Sequence, residues 1–474
     1  MATHALDRHL ALIGFMGAGK TTLGEEVARR LGRPFVDLDR ELEAQHRRTI
    51  SELFAHGGEA HFRVLEAAAA VDALSKATPA VVALGGGAAE SATVRQALRD
   101  NALTVRLEVD FDTAWDRVQG GDRPLAADRG EFRALFDRRK GLYESAADAT
   151  ARNAEDVVLA AGGAVVEAGA LERLGLLVPG EGLVALVSDP RVQGIYGAGV
   201  QLALGSRLAS THELPAGEQA KTIAEAEGLW NELRLDRRGT IAALGGGCTT
   251  DAAGFVAATY LRGIDWVAIP TTLVGQVDAA LGGKTALNLP AGKNLVGAFH
   301  WPARVVVDPV ALTTLPEAER RSGMAEVVKT GLLAGERIWE LPDAELVRRC
   351  AAYKLSICLQ DAKEQGPREI LNLGHTFAHA LEAAGPVSHG EAVALGLLAA
   401  LRLSELDTTD VEETLAPRPA RVDRERAWAA LQRDKKARDG AIRLVLLEAP
   451  GKPRTGVELL EADVRRELDR LIAD

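Results

Sequence analysis

The sequence contains few cysteines and few aromatic residues, and it has no long apolar run. Three cysteines in 474 residues are too few for a disulfide framework and indicate a reducing compartment. Cys350 and Cys358 lack the spacing of metal ligands, so we predict that both are core residues. No apolar run approaches the length of a membrane span, and residues 1–9 are charged, unlike a signal peptide. We therefore expect a cytoplasmic protein.

An excess of positive charge is also absent. The chain has 67 acidic residues against 56 lysines and arginines, for a net charge of -11. Basic clusters such as residues 138–140 are too short to bind a polyanion. We therefore expect small-molecule substrates, with neither nucleic acid nor membrane as a partner. A length of 474 residues and a hydrophobic fraction of 47% allow two or three domains of helices packed on sheets.

The C-terminal half contains a pair of histidines four residues apart. His375 and His379 share one face of a predicted helix, and Glu326 and Lys329 are likewise close enough to share a face. Glu326, His389 and one of the paired histidines would form a set of nitrogen and oxygen ligands that suits zinc with one position open. The alternative is that these residues are scattered through a soluble domain.

The N-terminal part contains a P-loop. Residues 14–21 have the pattern G-x(4)-G-K-T, between an apolar run at residues 10–13 and a predicted helix at residues 22–31. Glycines let backbone N–H groups surround phosphate oxygens, and the helix N-terminus adds its dipole. Lys20 can reach the outer phosphates and Thr21 can hold magnesium. The predicted phosphate-binding residues are Gly14, Gly17, Gly19, Lys20, Thr21 and Thr22.

Further motifs follow the P-loop, at residues 36–39, 54–63, 84–87, 123–125 and 139–143, together with Glu66. With the P-loop, they resemble shikimate kinase over residues 9–160. The resemblance implies ATP and Mg²⁺ as cofactors, with Asp37 helping to hold magnesium. It implies that Asp39 contacts the hydroxyl to be phosphorylated and can accept its proton. Asp39 has an alternative role as the N-cap of a helix at residues 40–45.

The same resemblance implies a clamp for a substrate carboxylate, because arginine's planar fork suits that group. The implied substrate-binding residues are Asp39, Arg63, Gly85, Gly86, Gly87 and Arg139, with Phe54 and Phe62 as walls. Arg123 would lie in a closing lid and bring a positive charge to the transferring phosphoryl group, although it could also be a surface residue before a turn proline. Arg117 is a candidate for contact with adenine.

The first half leads into the second with almost no linker. After a partial helix at residues 156–161, Gly162 and Gly163 precede a new apolar segment. A join of a few residues cannot span a domain, so we expect the two parts to touch. We predict three domains, at residues 1–162, 163–310 and 311–474. Their classes are a P-loop kinase with a parallel sheet, a dinucleotide-binding α/β domain and a mainly helical metal-binding domain.

Two predicted strands of the second half end at polar or glycine residues. Residues 183–188 precede Asp189, and residues 240–244 precede Gly245. Such units build a parallel sheet with a dinucleotide crevice at the carboxyl ends of its strands. Beyond Val310 the pattern becomes helical.

Many spaced motifs resemble 3-dehydroquinate synthase, a zinc- and NAD-dependent sugar-phosphate cyclase, from about residue 164 to the C-terminus. They lie at residues 245–255, 261–263, 270–273, 277–278, 282–284, 292–294 and 372–379. The chain departs from the family at residues 248–250, where Cys-Thr-Thr replaces a common Val-Val-Gly. The NAD contacts that the resemblance implies are Asp189, Glu218, Lys221, Gly245, Gly246, Gly247, Asp251, Thr271 and Thr272.

The resemblance also assigns roles around the histidine pair. It implies that His375 joins Glu326 and His389 in binding Zn²⁺ or Co²⁺, and that His379 is a catalytic histidine facing the substrate. It further implies catalytic roles for Asp278, Lys284 and Lys329. Substrate-binding roles fall on Arg262, Lys293, Asn294, Lys354, Arg368, Asn372 and one of Lys435 or Lys436. Several lysines and arginines in one pocket are costly to bury unless anions neutralise their charge. A substrate with phosphate and carboxylate groups supplies those anions. The resemblance also implies a homodimer through this part.

The two resemblances together imply a bifunctional enzyme. One activity would phosphorylate shikimate to shikimate 3-phosphate with ATP. The other would convert 3-deoxy-D-arabino-heptulosonate 7-phosphate to 3-dehydroquinate and phosphate with NAD and a metal ion. The alternatives for the second half are another sugar-phosphate cyclase, whose substrate lacks a carboxylate, and a metal-dependent polyol dehydrogenase. A further alternative is that one half is an inactive module kept for assembly or regulation.

Overall fold

The computed structural model describes residues 3–119, 128–434 and 442–473. The chain divides into two compact units, Met1–Ala164 and Val165–Asp474. None of the helices in the described ranges combines the length and the apolar character that a membrane span requires.

The first unit is built on a five-stranded parallel sheet. Its strands are β1 (His9–Ile13), β2 (Phe35–Asp37), β3 (Val81–Ala83), β4 (Ala102–Leu107) and β5 (Ala149–Ala151). They pair in the order β2-β3-β1-β4-β5. The helices are α1 (Lys20–Arg30), α2 (Leu38–His46), α3 (Ile50–Ser75), α4 (Ala92–Asn101), α5 (Phe111–Val118), α6 (Arg129–Ala146) and α7 (Ala154–Ala161).

The central strand β1 directs the P-loop to the carboxyl edge of this sheet. All five residues of β1 are buried, as is typical of a strand covered on both faces. Helix α1 begins at Lys20, two residues before the predicted start, because Gly19 adopts a left-handed conformation with φ 88° and turns the chain directly into the helix.

The alternative role of Asp39 as a helix cap is wrong. Helix α2 begins at Leu38, and the side chain of Asp37 caps it by accepting hydrogen bonds from the backbone N–H groups of Asp39 and Arg40. Asp39 therefore lies in the first turn of α2, where its carboxylate is not needed as the N-cap acceptor.

The second unit contains a six-stranded sheet in the order β6-β13-β10-β9-β7-β8. The strands are β6 (Ala164–Val166), β7 (Val184–Ser188), β8 (Leu208–Glu213), β9 (Thr240–Gly245), β10 (Asp265–Pro270) and β13 (Arg304–Val307), and the pairs from β13 to β8 are parallel. Between β10 and β13 lies an antiparallel hairpin of β11 (Lys284–Leu289) and β12 (Gly292–Phe299). The helices of this part are α8 (Leu174–Leu177), α9 (Pro190–Val192), α10 (Ala198–Leu204), α11 (Ile223–Glu232) and α12 (Gly247–Thr259).

The rest of the second unit is mainly helical, as predicted. Its helices are α13 (Glu317–Ala334), α14 (Asp343–Gln360), α15 (His375–Ala384), α16 (His389–Leu403), α17 (Thr409–Leu415), α18 (Arg424–Asp434) and α19 (Glu461–Arg470). An antiparallel hairpin of β14 (Ile442–Ala449) and β15 (Lys452–Leu459) was not expected. Cys350 and Cys358 are fully buried in this part, which confirms their prediction as core residues.

Close packing of α15 against α16 brings the histidines together. A Cβ atom on Gly396 of α16 would lie 2.1 Å from the carbonyl oxygen of Gly374, so only glycine allows this approach. Gly374 precedes α15 and has a φ of 77°, which also favours glycine. A third helix, α13, packs against α16, where a Cβ on Gly390 would collide with Ser322.

Candidate active sites

Hydrogen bonds and close packing fix the conformation of the P-loop in the first unit. Lys20 Nζ donates hydrogen bonds to the carbonyl oxygens of Gly14 (2.8 Å) and Phe15 (3.1 Å). A Cβ on Gly17 would lie 2.7 Å from the carbonyl oxygen of Ala114, so a larger residue would displace the loop. Since the first N–H groups of α1 face this loop, the site is ready for an anion.

A candidate magnesium site lies beside the loop. Thr21 Oγ1 donates a hydrogen bond to Asp37 Oδ2 at 2.6 Å, which brings together the two residues predicted to hold magnesium. Hydroxyl and carboxylate oxygens are the ligands that Mg²⁺ prefers. The structure therefore pairs Thr21 with Asp37 as the resemblance requires.

An open cavity of about 740 Å³ adjoins the P-loop on the side of α5 and is lined by Gly19, Thr22, Arg117 and Arg152 among others. Arg117 donates a hydrogen bond to the carbonyl oxygen of Gly17 at 2.9 Å. Arg152 was not predicted. It follows β5 directly and pairs with Glu108 at 2.8 Å. Its position after a strand, where parallel sheets bind ligands, is the signal that could have found it.

The predicted carboxylate clamp lines a second cavity, of about 300 Å³. Its walls include Thr21, Asp37, Asp39, Phe54, Phe62, Arg63, Gly86, Gly87 and Arg139, and Gly85 adjoins it. Arg63 donates a hydrogen bond to Glu66 at 2.6 Å, and Arg139 donates one from Nε to Glu90 at 2.5 Å. Tyr143 on the same helix as Arg139 donates a hydrogen bond to the carbonyl oxygen of Gly86, which anchors the glycine loop to α6.

Burial controls the ionisation of two groups at this cavity. It raises the pKa of Glu66, and the attraction of Arg63 only partly opposes that shift. It also raises the pKa of Tyr143 to about 12, so this hydroxyl stays a neutral hydrogen-bond donor at physiological pH. The remaining predicted kinase residue, Arg123, lies outside the described residues.

Three helices of the second unit bring together a candidate metal site. Glu326 Oε1 lies 3.0 Å from His389 Nε2 and 3.4 Å from His375 Nε2. The ligand atoms of these residues all lie within 4.8 Å of one another. Two imidazole nitrogens and one carboxylate oxygen form a set that fits zinc or cobalt with an open position. The His379 ring centroid lies 5.6 Å from that of His375.

Charge pairing around this cluster sets its ionisation. Lys329 pairs with both Glu326 and Asp278, and Lys354 pairs with Asp278. Burial tends to raise the pKa of Glu326, but the attraction of Lys329 and the hydrogen bonds with the two histidines outweigh burial and hold that pKa well below its usual range. Burial lowers the pKa of His375. Glu326 is therefore an anion and His375 is neutral, the states that bind a metal ion.

The pKa of His389 is shifted in the opposite direction to that of His375. Burial tends to lower its pKa, but hydrogen bonds to Glu326 and Glu382 raise it to about 10. A metal ion must therefore displace a proton from this imidazole.

A cavity of about 570 Å³ surrounds the cluster. Its predicted lining residues are Asp251, Asp278, Lys284, Asn294, Glu326, Lys329, Lys354, Arg368, Asn372, His375, His379 and His389. It also contains Glu364, which was not predicted. Glu364 pairs with Lys284 at 2.5 Å and accepts a hydrogen bond from Asn372 at 3.2 Å. No local pattern in the sequence marks Glu364, because its partner Lys284 lies on the distant strand β11.

Some predicted substrate residues lie elsewhere. Arg262 is exposed and does not line this cavity in the described structure. Lys293 also lies outside its lining and pairs with Glu218 at 3.2 Å and with Glu382 at 3.6 Å. Lys435 and Lys436 lie outside the described residues.

The predicted NAD contacts gather at the carboxyl ends of neighbouring strands. Asp189 follows β7, Gly245 ends β9 and is followed by Gly246 and Gly247, and Thr271 and Thr272 follow β10. A Cβ on Gly246 would lie 3.0 Å from Thr272 Cγ2. This edge of a parallel sheet is where dinucleotides bind.

Lys221 and Glu218, two further predicted NAD contacts, are held by an ion pair and by hydrogen bonds. Lys221 Nζ lies 2.5 Å from Asp251 Oδ2 and 2.5 Å from Asn294 Oδ1. Glu218 accepts a hydrogen bond from Asn288 at 2.7 Å. The β11–β12 hairpin thus links these residues to the cavity.

The fold and the two sites define the class of protein: a P-loop kinase domain followed by a dinucleotide-binding, metal-binding enzyme unit. Residues 16–168 match the family model of shikimate kinase. Residues 211–322 and 323–437 match the models of the N-terminal and C-terminal parts of 3-dehydroquinate synthase. The chain belongs to the 3-dehydroquinate synthase family and carries a shikimate kinase domain at its N-terminus.

Individual relatives agree with this family membership. The 3-dehydroquinate synthase of Gloeobacter violaceus is 42% identical over 344 residues, which cover 65% of this chain and 95% of that protein. The 3-dehydroquinate synthase of Bordetella pertussis is 40% identical over 345 residues, covering 64% of this chain and 94% of that protein. A crystal structure of 2-deoxy-scyllo-inosose synthase with carbaglucose-6-phosphate, NAD⁺ and Co²⁺ has a TM-score of 0.58 at 26% identity, over 65% of this chain and 96% of that one. The predicted families and fold class are therefore confirmed, and both families are enzymes of aromatic biosynthesis.

Proposed function

We propose that this chain is a bifunctional enzyme. Residues 1–162 would phosphorylate shikimate to shikimate 3-phosphate with ATP and Mg²⁺. Residues 163–310 and 311–474 would together convert 3-deoxy-D-arabino-heptulosonate 7-phosphate to 3-dehydroquinate and phosphate with NAD and Zn²⁺ or Co²⁺. The observation that carries the proposal is that each unit has a cavity in which cofactor residues adjoin a cluster suited to an anionic substrate.

In the kinase unit, different residues would bind the phosphates and the carboxylate and accept the proton of the hydroxyl. Lys20 and the P-loop N–H groups hold the phosphates, and Arg63 and Arg139 hold the carboxylate of the acceptor. Asp39 extends toward the glycine loop, since a Cβ on Gly85 would lie 3.0 Å from its Oδ1. From there Asp39 accepts the proton of the attacking hydroxyl. ATP with Mg²⁺ supplies the phosphoryl group.

In the synthase unit, the cations select the substrate. Lys354 and Arg368 are buried and would hold the carboxylate, while Lys284 and Asn294, which line the same cavity, would bind the phosphate. His379 moves a proton at the substrate oxygen or leaving group. NAD supplies reversible hydride removal, and a metal ion bound by Glu326, His375 and His389 supplies Lewis acidity to hydroxyl and carbonyl oxygens.

Substrate competition tests the synthase proposal. The purified chain should release phosphate from 3-deoxy-D-arabino-heptulosonate 7-phosphate and much less from a hexose 6-phosphate that lacks a carboxylate. Arg368→Met should reduce the rate of phosphate release from the first substrate and so lower the ratio of the two rates. The reason is that this variant lacks a cation that would bind the carboxylate. Equal rates with both substrates in the unmodified chain would favour another sugar-phosphate cyclase. Oxidation of a polyol without phosphate release would favour a dehydrogenase.

We also infer that the synthase unit forms a homodimer and that the protein acts in the cytoplasm. Leu176 on α8 is 85% exposed and Leu202 on α10 is 83% exposed. Because α8 packs against α10, we infer that these two side chains belong to one apolar patch that another copy covers. Sedimentation velocity should give twice the chain mass. Leu176→Asp together with Leu202→Asp should lower that mass if these residues lie in the interface.

A further inference from the structure

Glu382 lies beside a histidine of the candidate metal site and has no assigned role. We propose that Glu382 is a positioning residue that accepts a hydrogen bond from Nδ1 of His389 and thereby presents Nε2 to the metal ion. This inference rests on the proposed function, since it requires metal binding by Glu326, His375 and His389. It concerns a residue that contacts a ligand and not the metal itself.

The two histidine ligands both direct Nε2 toward the same oxygen of Glu326. His389 Nε2 is 3.0 Å and His375 Nε2 is 3.4 Å from Glu326 Oε1. A nitrogen that binds a metal ion cannot carry a proton, so the neutral imidazole must carry its proton on Nδ1. Each Nδ1–H then needs an acceptor, because that bond fixes both the tautomer and the orientation of the ring.

Each histidine has a different acceptor at Nδ1. His375 Nδ1 lies 3.2 Å from the carbonyl oxygen of Leu373, which can only accept. His389 Nδ1 lies 3.6 Å from Glu382 Oε1. A shift of about 0.5 Å brings this second pair into hydrogen-bond range. Hydrogen bonds at a site without its ligand are often longer than in the bound state.

Glu391, two residues after His389, has a different role. Glu391 Oε2 accepts hydrogen bonds from the backbone nitrogen of Ser388 at 3.1 Å and from its hydroxyl at 2.6 Å. These contacts form the capping box that starts α16. Glu391 therefore stabilises the helix that carries His389, whereas Glu382 faces the imidazole.

The position of Glu382 is set by its helix and by a lysine. It follows His375 by seven residues, so both lie on the same face of α15. Its side chain is 12% exposed, and Lys293 Nζ lies 3.6 Å from the same oxygen, Oε1. Lys293 also pairs with Glu218 at 3.2 Å. The carboxylate is therefore held between a lysine and the imidazole, and it has little freedom to turn toward solvent.

Metal affinity of the full-length chain tests this role. Zn²⁺ is titrated against a chromophoric chelator in the unmodified chain, Glu382→Ala and Glu382→Gln. Loss of an outer-shell partner of a metal ligand weakens metal binding by about 10- to 100-fold, and we expect a Kd increase in that range for Glu382→Ala. Glu382→Gln keeps the shape and an acceptor oxygen, so its loss should be smaller. Both variants should keep the circular dichroism spectrum and the thermal unfolding transition of the unmodified chain, which verifies that the second unit is folded.

A matched control and a spectroscopic measurement complete the test. Glu391→Gln removes a charge near His389 but keeps a residue that completes a capping box, so its Kd should be unchanged. The ¹⁵N spectrum of the zinc-loaded protein should show Nδ1–H on His389, and this signal should weaken in Glu382→Ala. A Kd for Glu382→Ala within threefold of the unmodified chain, or an equal loss in Glu391→Gln, would overturn the proposal. Failure of the unmodified chain to bind Zn²⁺, or unchanged binding in His389→Ala, would instead overturn the proposed metal site.

Discussion

Replacing Arg139 with lysine probes the kinase clamp while keeping its positive charge. Arg139 is 2% exposed and lines the cavity, and its Nε donates to Glu90 at 2.5 Å, which fixes one edge of the guanidinium. A lysine ammonium cannot serve Glu90 and a carboxylate in this forked geometry. A hydrogen bond to a charged group contributes about 1.5–3 kcal/mol, and each 1.4 kcal/mol changes affinity about tenfold, so the KM for shikimate should rise about 10- to 150-fold.

Steady-state kinetics with each substrate varied in turn measures this effect. The KM for ATP should change little, because the P-loop is a separate part of the site. Arg138→Lys is the matched control, since Arg138 is the neighbouring residue on α6 and is exposed. An unchanged KM for shikimate in Arg139→Lys, or an equal rise for ATP, would refute the assignment of Arg139 to the carboxylate.

Three further predictions concern the second unit and its independence from the first. His389→Ala should lose bound zinc, measured by atomic absorption, and should lose cyclisation but keep kinase activity; full metal occupancy would contradict the ligand set. Burial raises the pKa of Cys248 to about 12, so its thiol should stay protonated from pH 6 to 9 and react with iodoacetamide far more slowly than a free cysteine, as followed by peptide mass spectrometry. Lys20→Ala should lose phosphoryl transfer and keep cyclisation, whereas His379→Ala should lose cyclisation and keep phosphoryl transfer. A several-fold change of synthase kcat on adding saturating ATP would show that the two sites are coupled.

Local spacing predicted the parts of each site that lie on one element. The P-loop glycines follow from the need for backbone conformations that other residues avoid, as at Gly19 with its φ of 88°. The adjacency of His375 and His379, and that of Glu326 and Lys329, follows from the helical repeat. By contrast, spacing alone did not choose between His375 and His379 as the ligand, and only the family resemblance did.

Contacts between distant elements were not predictable from the sequence. Glu364 and Glu382 acquire their partners only when separate helices and strands pack together, and no local pattern distinguishes them from solvated charges. The position of Arg152 after a strand was visible in the sequence, but its pairing with Glu108 was not. The hairpin of β14 and β15 was missed for another reason. Its first strand, Ile442–Ala449, is a short apolar run that periodicity cannot distinguish from a buried helix.

One preparation of the purified protein is sufficient to test whether a single chain carries two separate catalytic activities. One sample receives shikimate, ATP and Mg²⁺, and another receives 3-deoxy-D-arabino-heptulosonate 7-phosphate, NAD and Zn²⁺, each followed by ³¹P NMR. Shikimate 3-phosphate should accumulate in the first sample and inorganic phosphate in the second, and Lys20→Ala should abolish only the first reaction. Absence of either product would show that the chain lacks one of the two activities. Loss of both products in Lys20→Ala would show that the two activities are not separate.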